Sequence, residues 1–379
     1  MKVAVFYGGR SCEHDISVIT AVQTMAHMDP SKYEVYPVYM KDGAYYTGGG
    51  LTDISFYDNP DFKSLTRVWL LDGVFYGRVK SILIKKFKPD IALICCHGGE
   101  GENGVLQGVL ESNRIPYTSA GVMPSAVSMD KVISKQLCEG LMFNTVEELC
   151  VYREDFNRNR AKILMHIETF LEYPMIIKPA SLGSSIGIKR AKNREELADA
   201  IEVASNFDRK IIVERALTDF IELNCAVVSD GDTVIVSEIE RPLSWQEFLT
   251  FEDKYLAGEK GMTGEKRQLP ADIPAELADS VREIAERLYS DFDMTGVVRI
   301  DFLLSNSDKL YVNEINTVPG SLSFYLFEPL GIDFSTLIDM LISGAFKRSA
   351  ENRKSRFAYN SGVLKNFGGG KCKQLPKYS

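Results

Sequence analysis

Two short apolar segments near the end of the chain carry four polar side chains that could bind a metal ion and an anion. β-branched and aromatic residues flank residues 306–308, Asn-Ser-Asp, which is typical of a tight turn between two strands. A turn there places Asp301 opposite Glu314. It also places Arg299 opposite Asn316. Because side chains alternate between the two faces of a strand, these four groups then share one face.

A divalent cation would let the two carboxylates lie across one ladder, where they otherwise repel each other. Asp301, Glu314 and the carbonyl of Asn316 are hard oxygen ligands, which suit magnesium bridging phosphate oxygens rather than zinc. Arg299 beside them would hold an anion. Residues 319–321, Pro-Gly-Ser, form a turn suited to presenting backbone N–H groups to an oxyanion. The alternative is a solvated hairpin face with charges of both signs.

A second candidate site lies in the middle of the chain, where Lys178 ends an apolar strand. The small-residue loop 179–187 follows and carries the hydroxyls of Ser184 and Ser185. Backbone N–H groups, two hydroxyls and one ammonium could converge there on a polyanion such as a phosphate chain. The loop is not a P-loop, because GxxxxGK[ST] is absent. A plain β-hairpin turn is the alternative.

Two glycine-rich turns follow predicted strands in the amino-terminal part of the chain. The first, after residues 2–7, contains Glu13, and the second, after residues 90–96, begins with His97. Helical patterns follow both turns, so the turns lie at the carboxyl ends of strands, which form the binding edge of a parallel α/β sheet. The alternatives are a helix-dipole contact for Glu13 and a structural role for His97.

Apolar periodicity predicts elements through the rest of the chain. The predicted strands cover residues 2–7, 33–40, 90–96, 175–178, 210–214, 222–228 and 233–239. The predicted helices cover residues 14–28, 105–111, 125–139, 155–170, 193–207 and 275–289. Residues 41–81 carry no pattern that indicates either element. The long polar segment 241–268 is typical of a functional lid.

Length and composition narrow the class of protein. The 379 residues suffice for two or three domains. A net charge of -8 and a pI near 5.3 argue against a nucleic-acid-binding protein, which needs a basic surface. The seven cysteines are odd in number and scattered, unlike a disulfide framework or a zinc site. With no signal peptide or membrane span in the pattern, we expect a cytoplasmic protein with small-molecule partners.

Seven motifs read together resemble the D-alanine-D-alanine ligases of the ATP-grasp superfamily. They occur in the order and spacing of that family: GGRSCEHDIS, HGGEGENGVLQG, SMDK, IIKPASLGSSIG, FEDKY, RIDF and EINTVPGS. The resemblance extends from the first strand to about Leu341. It implies an α/β and α+β protein in which an N-terminal Rossmann-like domain precedes a two-domain ATP-grasp fold.

The resemblance also implies domain boundaries. An N-terminal substrate domain is expected at residues 1–121 and a central ATP-grasp domain at 122–215. A C-terminal catalytic ATP-grasp domain is expected at 216–347, followed by a basic flexible tail at 348–379. By analogy with the family, the protein is expected to be a homodimer.

The implied reaction joins two D-alanines for peptidoglycan synthesis. ATP phosphorylates the carboxylate of the first, and the amine of the second attacks the acyl phosphate. Glu13 would then bind the ammonium of the first substrate, with Ser184 and Tyr255 matching the residues that hydrogen-bond at this position and hold the lid. Arg299 and the N–H of Gly320 would stabilise the tetrahedral oxyanion.

Further contacts are implied for three sets of residues. Contacts with ATP are implied for Lys131, Lys178, Ser185, Glu214, Leu217, Glu222 and Lys254. Ligation of magnesium or manganese is implied for Asp301, Glu314 and Asn316. Contacts with the amino-acid substrates are implied for His97, Ser321, Tyr325 and Leu326.

Two residues depart from the family pattern. Where these ligases commonly have a threonine after the Pro-Gly turn and a serine before the last leucine of the site, this chain has Leu322 and Tyr325. The serine helps to hold the carboxylate of the second substrate, and a tyrosine hydroxyl would donate from a different distance. D-serine, D-lactate or another amino acid is therefore the alternative to D-alanine as second substrate. A non-catalytic ATP-binding protein is a further alternative, against which the complete set of polar site residues argues.

Overall fold

The computed structural model describes residues 1–79, 82–243 and 267–355. The strands in these residues are β1 (Lys2–Gly8), β2 (Glu34–Lys41), β3 (Ala44–Thr47), β4 (Thr66–Leu71), β5 (Val74–Val79), β6 (Ile82–Phe87), β7 (Ile91–Ile94), β8 (Glu148–Tyr152), β9 (Met175–Pro179), β10 (Lys189–Ala191), β11 (Lys210–Arg215), β12 (Phe220–Ser229), β13 (Val234–Pro242), β14 (Arg267–Gln268), β15 (Val297–Ser305) and β16 (Leu310–Asn316). The α-helices in these residues are α1 (His14–His27), α2 (Gly99–Glu102), α3 (Val105–Ser112), α4 (Val122–Met129), α5 (Lys131–Gly140), α6 (Arg153–Phe170), α7 (Arg194–Phe207), α8 (Ala275–Asp291) and α9 (Phe334–Asn352).

The first sheet combines a parallel centre with an antiparallel extension. Its order is β6-β5-β4-β3-β2-β1-β7, and β1 pairs in parallel with both β2 and β7. The parallel pairing confirms that the two predicted glycine-rich turns follow the carboxyl ends of neighbouring strands. Strands β3 to β6 occupy the region without a predicted element. Antiparallel hairpins connect β2 to β3 and β4 to β5, and their turns include Asp42-Gly43 and Asp72-Gly73. All four turn residues have positive φ. Asp-Gly pairs are typical of such turns, so they were the feature of the sequence that indicated these hairpins.

The other two sheets are antiparallel. The second has the order β10-β9-β11-β8 and packs against α6 and α7. The third has the order β14-β13-β12-β15-β16. Helix α8 covers one face of the third sheet, where Val281 and Leu288 pack in one cluster with Val298 and Ile300. The opposite face of β12 carries Asn224 together with the buried apolar side chains of Ala226 and Val228.

The prediction of one continuous helix between β7 and β8 is wrong. Residues 125–139 do not form one helix, because α4 ends at Met129 and α5 begins at Lys131. Asp130 between them accepts hydrogen bonds from the backbone N–H groups of Val132 and Ile133. Its carboxylate also receives the Nζ of Lys210 at 2.9 and 2.8 Å. This N-cap starts a new helix and fixes the position of Lys131 at its first residue.

The apolar core crosses the predicted domain boundaries. Leu337 and Leu341 of α9 belong to the same buried cluster as Val5 of β1 and Val228 of β12. The first and third sheets are thereby joined through α9. The boundaries themselves remain predictions. Within the described part of the chain no single helix is long and apolar enough to cross a membrane, although one helix pair bent by 110° passes by length and composition.

Candidate active site

A row of polar side chains crosses the open face of the third sheet. Asn224 lies opposite both Glu240 and Asp301, and Asp301 lies opposite Glu314. Residues directly opposite each other in a ladder point to the same face, so the row spans β13, β12, β15 and β16. The predicted pairing of Asp301 with Glu314, and of Arg299 with Asn316, is confirmed. Beyond Asp301 a bulge changes the register.

Cationic partners remove the repulsion within this row. Nε and Nη2 of Arg299 donate to the two Asp301 oxygens at 2.6 and 2.8 Å. Nδ2 of Asn316 donates to Oδ2 of Asp301 at 3.0 Å. The Nζ of Lys131 lies 2.7 Å from Oε1 of Glu314. Burial opposes the charge on Lys131, but Glu314 outweighs it and raises the pKa of the ammonium.

The same row offers the donor set for a hard cation. Asp301, Glu314 and Asn316 present carboxylate and carboxamide oxygens, the ligands that magnesium prefers. The described residues contain no group of three or more His, Cys, Asp or Glu side chains that could hold a metal ion by themselves. Magnesium normally takes only one or two protein carboxylates and completes its shell with water and phosphate oxygens. The residues therefore fit a magnesium ion, which Asp301, Glu314 and Asn316 would hold and which would supply positive charge there.

Buried lysines from the second sheet and α5 face this row. Lys131 donates from Nζ to the carbonyl of Leu182, inside the predicted phosphate loop, at 2.6 Å. The Nζ of Lys178 lies 2.8 Å from Oε2 of Glu214, whose other oxygen contacts Lys135. Burial opposes ionisation of Glu214, but Lys135 and Lys178 outweigh it and lower the pKa of this carboxyl to about 2. The carboxylate thus fixes two ammonium groups at the floor of the loop.

The loop also reaches the first sheet. Oγ of Ser184 donates a hydrogen bond to Oε1 of Glu13, which immediately precedes α1. Ser184 and Ser185 both have positive φ, at 53° and 58°. Gly183 and Gly98 lie so close to Glu13 that a Cβ at either would come within 3.1 or 2.6 Å of its carboxylate. Glu13 is therefore enclosed by the two loops that the sequence predicted as binding loops.

His97 fixes the turn that follows β16. Its Nδ1 lies 2.6 Å from the carbonyl of Val318, and its Nε2 lies 2.7 Å from Oγ1 of Thr20. The same Oγ1 accepts the backbone N–H of Ser321 at 3.0 Å. Burial lowers the pKa of His97 to about 4, with an opposing contribution from the Val318 carbonyl. The neutral ring can donate from Nδ1 and accept the Thr20 hydroxyl, so His97 holds the turn.

Glu102 holds the same turn from α2. Its Oε1 accepts the backbone N–H of Val318 at 2.9 Å and the hydroxyl of Thr317 at 3.4 Å. Its Oε2 accepts the backbone N–H of Gly98 at 2.9 Å. Burial, followed by repulsion from Glu13, raises the pKa of Glu102 to about 7. One carboxylate thus links a loop of the first sheet to the turn after the third.

Comparison with known proteins places this arrangement in a family. Residues 2–120 match the family model described as D-ala D-ala ligase N-terminus, and residues 137–343 match D-ala D-ala ligase C-terminus. A D-alanine--D-alanine ligase of Thermosipho africanus is 37% identical over 368 residues, covering 96% of this chain and 98% of the relative. The chain belongs to the D-alanine-D-alanine ligase family. This is a family of ATP-dependent ligases.

Solved structures of the family share the fold. VanG D-Ala:D-Ser ligase from Enterococcus faecalis superposes with a TM-score of 0.76 at 28% identity, covering 91% of this chain and 99% of that one. The D-alanine-D-alanine ligase from Coxiella burnetii superposes with a TM-score of 0.76 at 22% identity, covering 97% and 99%. The predicted ATP-grasp fold with a Rossmann-like N-terminal part is therefore confirmed.

The two departures from the D-alanine-D-alanine ligase pattern lie in one 3-10 helix, Gly320–Leu326. Leu322 is buried in the core together with Leu326. The hydroxyl of Tyr325 donates to Oε2 of Glu240 at 3.0 Å, and the guanidinium of Arg267 lies 4.3 Å from the Tyr325 ring centre. The tyrosine hydroxyl is thus already bonded to the polar row.

The structure places the predicted site residues of this family member differently. Those brought together around the row and the two loops are Glu13, His97, Lys131, Lys178, Ser184, Ser185, Glu214, Arg299, Asp301, Glu314, Asn316, Gly320 and Tyr325. Glu222 lies on β12 two residues before Asn224, and Leu217 lies between β11 and β12. Lys254 and Tyr255 lie outside the described residues, and so does most of the predicted tail.

All four predicted substrate contacts have other partners in the fold: His97 bonds to Val318 and Thr20, and Tyr325 bonds to Glu240. The hydroxyl of Ser321 donates to Oε1 of Gln23 at 2.8 Å, and the side chain of Leu326 is buried in the core. The sequence pattern assigned no role to five further residues of the site: Glu102, Lys135, Asn224, Glu240 and Arg267. For Asn224 the signal was its two-residue spacing from Glu222 on a strand, which puts both on one face.

Proposed function

We propose that this protein uses ATP to join two D-alanine molecules into D-alanyl-D-alanine for peptidoglycan. The observation that carries the proposal is the convergence of three sheets on one site. Ser184 of the phosphate loop meets Glu13, and Lys131 joins that loop to Glu314 of the hairpin. A carboxylate for an ammonium, lysines for phosphates and an arginine for an oxyanion therefore lie in one place.

The loop and its lysines are proposed to hold the nucleotide. Lys131 and Lys178 would contact the phosphates, together with backbone N–H groups and the hydroxyl of Ser185. The Glu214 carboxylate, whose pKa is about 2, pairs with both Lys135 and Lys178 and holds them in place. Leu217 would contact the adenine, with Glu222 at the ribose.

The first D-alanine is proposed to bind with its ammonium at Glu13, whose orientation is fixed by Ser184. Its carboxylate would attack the terminal phosphorus of ATP and form an acyl phosphate with release of ADP. The amine of the second substrate, having lost its proton, would attack this carbonyl, and phosphate would leave. The Arg299 guanidinium and the Gly320 N–H would stabilise the tetrahedral oxyanion, a donor of this kind being worth about 3 kcal/mol.

Asp301, Glu314 and Asn316 are proposed to hold magnesium or manganese. The cation would neutralise phosphate charge when bound there. Lys131 pairs with Glu314 at 2.7 Å, so the ammonium would be available to turn toward phosphate once another cation neutralises this carboxylate. Lys254 and Tyr255 are proposed to complete the lid.

A different second substrate is the competing candidate. The observation in its favour is the engagement of Tyr325 with Glu240, at the position where the family commonly has a serine. A solved relative at 28% identity is named a D-Ala:D-Ser ligase. D-serine, D-lactate and other amino acids are therefore the alternatives to test. The cytoplasm is the proposed location, supported by the scattered cysteines, and a homodimer is the proposed assembly.

The test is magnesium-dependent release of ADP by the purified full-length protein. D-alanine is supplied alone and then paired with D-serine, D-lactate or L-alanine, and the products are identified by mass. Formation of D-alanyl-D-alanine from D-alanine alone supports the proposal. Turnover only with a mixed pair would move the function to the competing ligase, and ATP binding without any product would refute both.

A further inference from the structure

We propose that Arg267, resting on the ring of Tyr325, binds the carboxylate of the second substrate and so selects amino acids with a free carboxylate. The inference rests on the proposed function, since it concerns the acceptor of that reaction. Two amino-acid substrates bring two ammonium groups and two carboxylates to the site. The first ammonium is matched by Glu13, and the first carboxylate is consumed in the bond. The second carboxylate stays charged throughout and needs a cation.

Within the described residues, the cations nearest the proposed reacting groups are closely matched by carboxylates. Arg299 donates two hydrogen bonds to Asp301 at 2.6 and 2.8 Å. Lys131 lies 2.7 Å from Glu314, and Lys178 lies 2.8 Å from Glu214. The two lysines are also the groups nearest the loop that would take the phosphates. An additional anion therefore needs an additional cation.

Arg267 provides such a cation at the edge of the same sheet face. It begins β14, which pairs with β13, the strand that carries Glu240. One Nη of Arg267 lies 3.3 Å from Oε1 of Glu240, the only ion pair of Arg267 within the described residues. A guanidinium has five N–H donors in a plane, so one contact at this distance leaves donors for a second carboxylate.

Tyr325 and Glu240 hold the Arg267 guanidinium in the position where it would bind the carboxylate. The guanidinium carbon lies 4.3 Å from the centre of the Tyr325 ring, a cation–π contact. The Tyr325 hydroxyl donates to Glu240 at 3.0 Å, and Asn224 donates to the same oxygen at 3.3 Å. The ring is therefore held by its hydroxyl, and it supports the arginine. Tyr325 therefore supports the guanidinium, and Arg267 makes the contact with the substrate carboxylate.

The location agrees with the path of the acceptor. Tyr325 belongs to the same 3-10 helix, Gly320–Leu326, as the proposed oxyanion donor. The row of Glu240, Asn224 and Asp301 leads directly from Arg267 to the partner of Arg299. An amino acid that places its amine at the carbonyl beside Arg299 and extends along this row would bring its carboxylate to Arg267.

Competition between two acceptors tests the inference in the full-length protein. ATP, magnesium and D-alanine are supplied with an equal concentration of D-alaninamide, which has an amine but no carboxylate. D-alaninamide cannot act as donor, so mass spectrometry resolves D-alanyl-D-alanine from D-alanyl-D-alaninamide. The ratio of these products reports acceptor choice alone. It is independent of the amount of folded enzyme and of binding at the donor site.

We expect Arg267→Ala to lower the product ratio roughly 10- to 100-fold, the usual effect of losing a charged hydrogen-bond partner. Arg267→Lys keeps the charge and should lower it less. Tyr325→Phe removes the hydroxyl and keeps the ring, so its ratio should fall less than that of Arg267→Ala. Arg282→Ala, which removes the ion pair with Glu238 at 3.1 Å, is the matched control and should leave the ratio unchanged.

An unchanged product ratio in Arg267→Ala would overturn the inference. A large fall of the ratio in Tyr325→Phe without a fall in Arg267→Ala would overturn it as well. The second result would assign the carboxylate to the tyrosine hydroxyl. Both outcomes leave the proposed function intact, because the wild-type protein still forms the dipeptide. Failure of the wild-type protein to form either product would instead count against the proposed function.

Discussion

Replacing Glu102 by glutamine should slow catalysis by disturbing the turn after β16, although Glu102 lies on α2 in the N-terminal part of the chain. The carboxylate accepts two backbone N–H groups at 2.9 Å, those of Gly98 and Val318, and the hydroxyl of Thr317. All three partners are donors. Glutamine keeps the shape but exchanges one acceptor oxygen for an NH2 group, which must then face a donor.

The size of the effect follows from the number of donors left without an acceptor. If the amide oxygen faces Val318 and Thr317, the N–H of Gly98 loses its acceptor; in the other orientation both contacts with the turn are lost. An unsatisfied buried polar group costs about 1–3 kcal/mol. Because about 1.4 kcal/mol corresponds to a tenfold change in rate, we expect kcat to fall roughly 10- to 100-fold. The KM for ATP should change little, since no phosphate-binding residue is altered.

Steady-state kinetics at about pH 8.5, where Glu102 with its pKa of about 7 is ionised, measure both constants with varied ATP and saturating D-alanine. The matched control is Glu100→Gln, on the same short helix, whose carboxylate pairs with Arg10 at 3.6 Å. It should leave kcat within about twofold, because an ion pair with a largely exposed arginine contributes little. If Glu102→Gln keeps wild-type kcat while its thermal unfolding midpoint falls, the carboxylate stabilises the fold without positioning the turn, and the reasoning is refuted.

Three further predictions concern the rest of the site. Glu214→Gln should lower the free energy of unfolding at neutral pH by about 3 kcal/mol, because the shift of this pKa from 4.5 to about 2 corresponds to that energy at about 1.4 kcal/mol per unit. Because the pKa of Glu214 is lower in the folded protein, this stability is present above about pH 4.5 and is lost as the pH falls towards 2. The free energies of unfolding of the wild-type protein and of Glu214→Gln, measured by denaturant unfolding, should therefore become equal near pH 2. Glu13→Gln should raise the KM for the first D-alanine at least about tenfold and leave ATP binding by calorimetry unchanged, whereas equal loss of both would contradict its assignment to the ammonium. Removal of magnesium with EDTA should abolish ADP release, and Asp301→Asn should raise the magnesium concentration needed to restore it; restoration at the wild-type concentration would rule out Asp301 as a ligand.

The sequence alone determined the local chemistry of this protein. Side chains alternate between the two faces of a strand with a period of two residues. The spacing of the polar residues on either side of one turn therefore determined that Arg299, Asp301, Glu314 and Asn316 share a face. Lys178 at the end of an apolar strand marked the proposed phosphate loop, and the glycine-rich turns marked the edge of the first sheet that carries Glu13 and His97. These features depend on residues close together in the chain, where periodicity and turn chemistry are decisive.

The antiparallel extension of the first sheet shows where local patterns were insufficient. Strands β3 to β6 lie partly exposed at one side of the sheet, with Ile82 and Leu83 exposed on β6. Their burial therefore does not alternate regularly, and periodicity gave no signal. The bulge beyond Asp301 was equally hidden, because a single extra residue in one strand depends on the packing of both.

Only the tertiary structure decided which distant residues complete the site. Glu102 holds Val318 across 216 positions of sequence, and Tyr325 meets Glu240 across 85. The backbone of Ser321, Leu322 and Ser323 has positive φ near 50°, which costs about 1–2 kcal/mol per residue and carries no signature in these residue types. Burial of Leu322 and the hydrogen bond from Ser321 to Thr20 hold that conformation. Such partners are chosen by the packing of whole sheets, which the spacing of neighbouring residues does not encode.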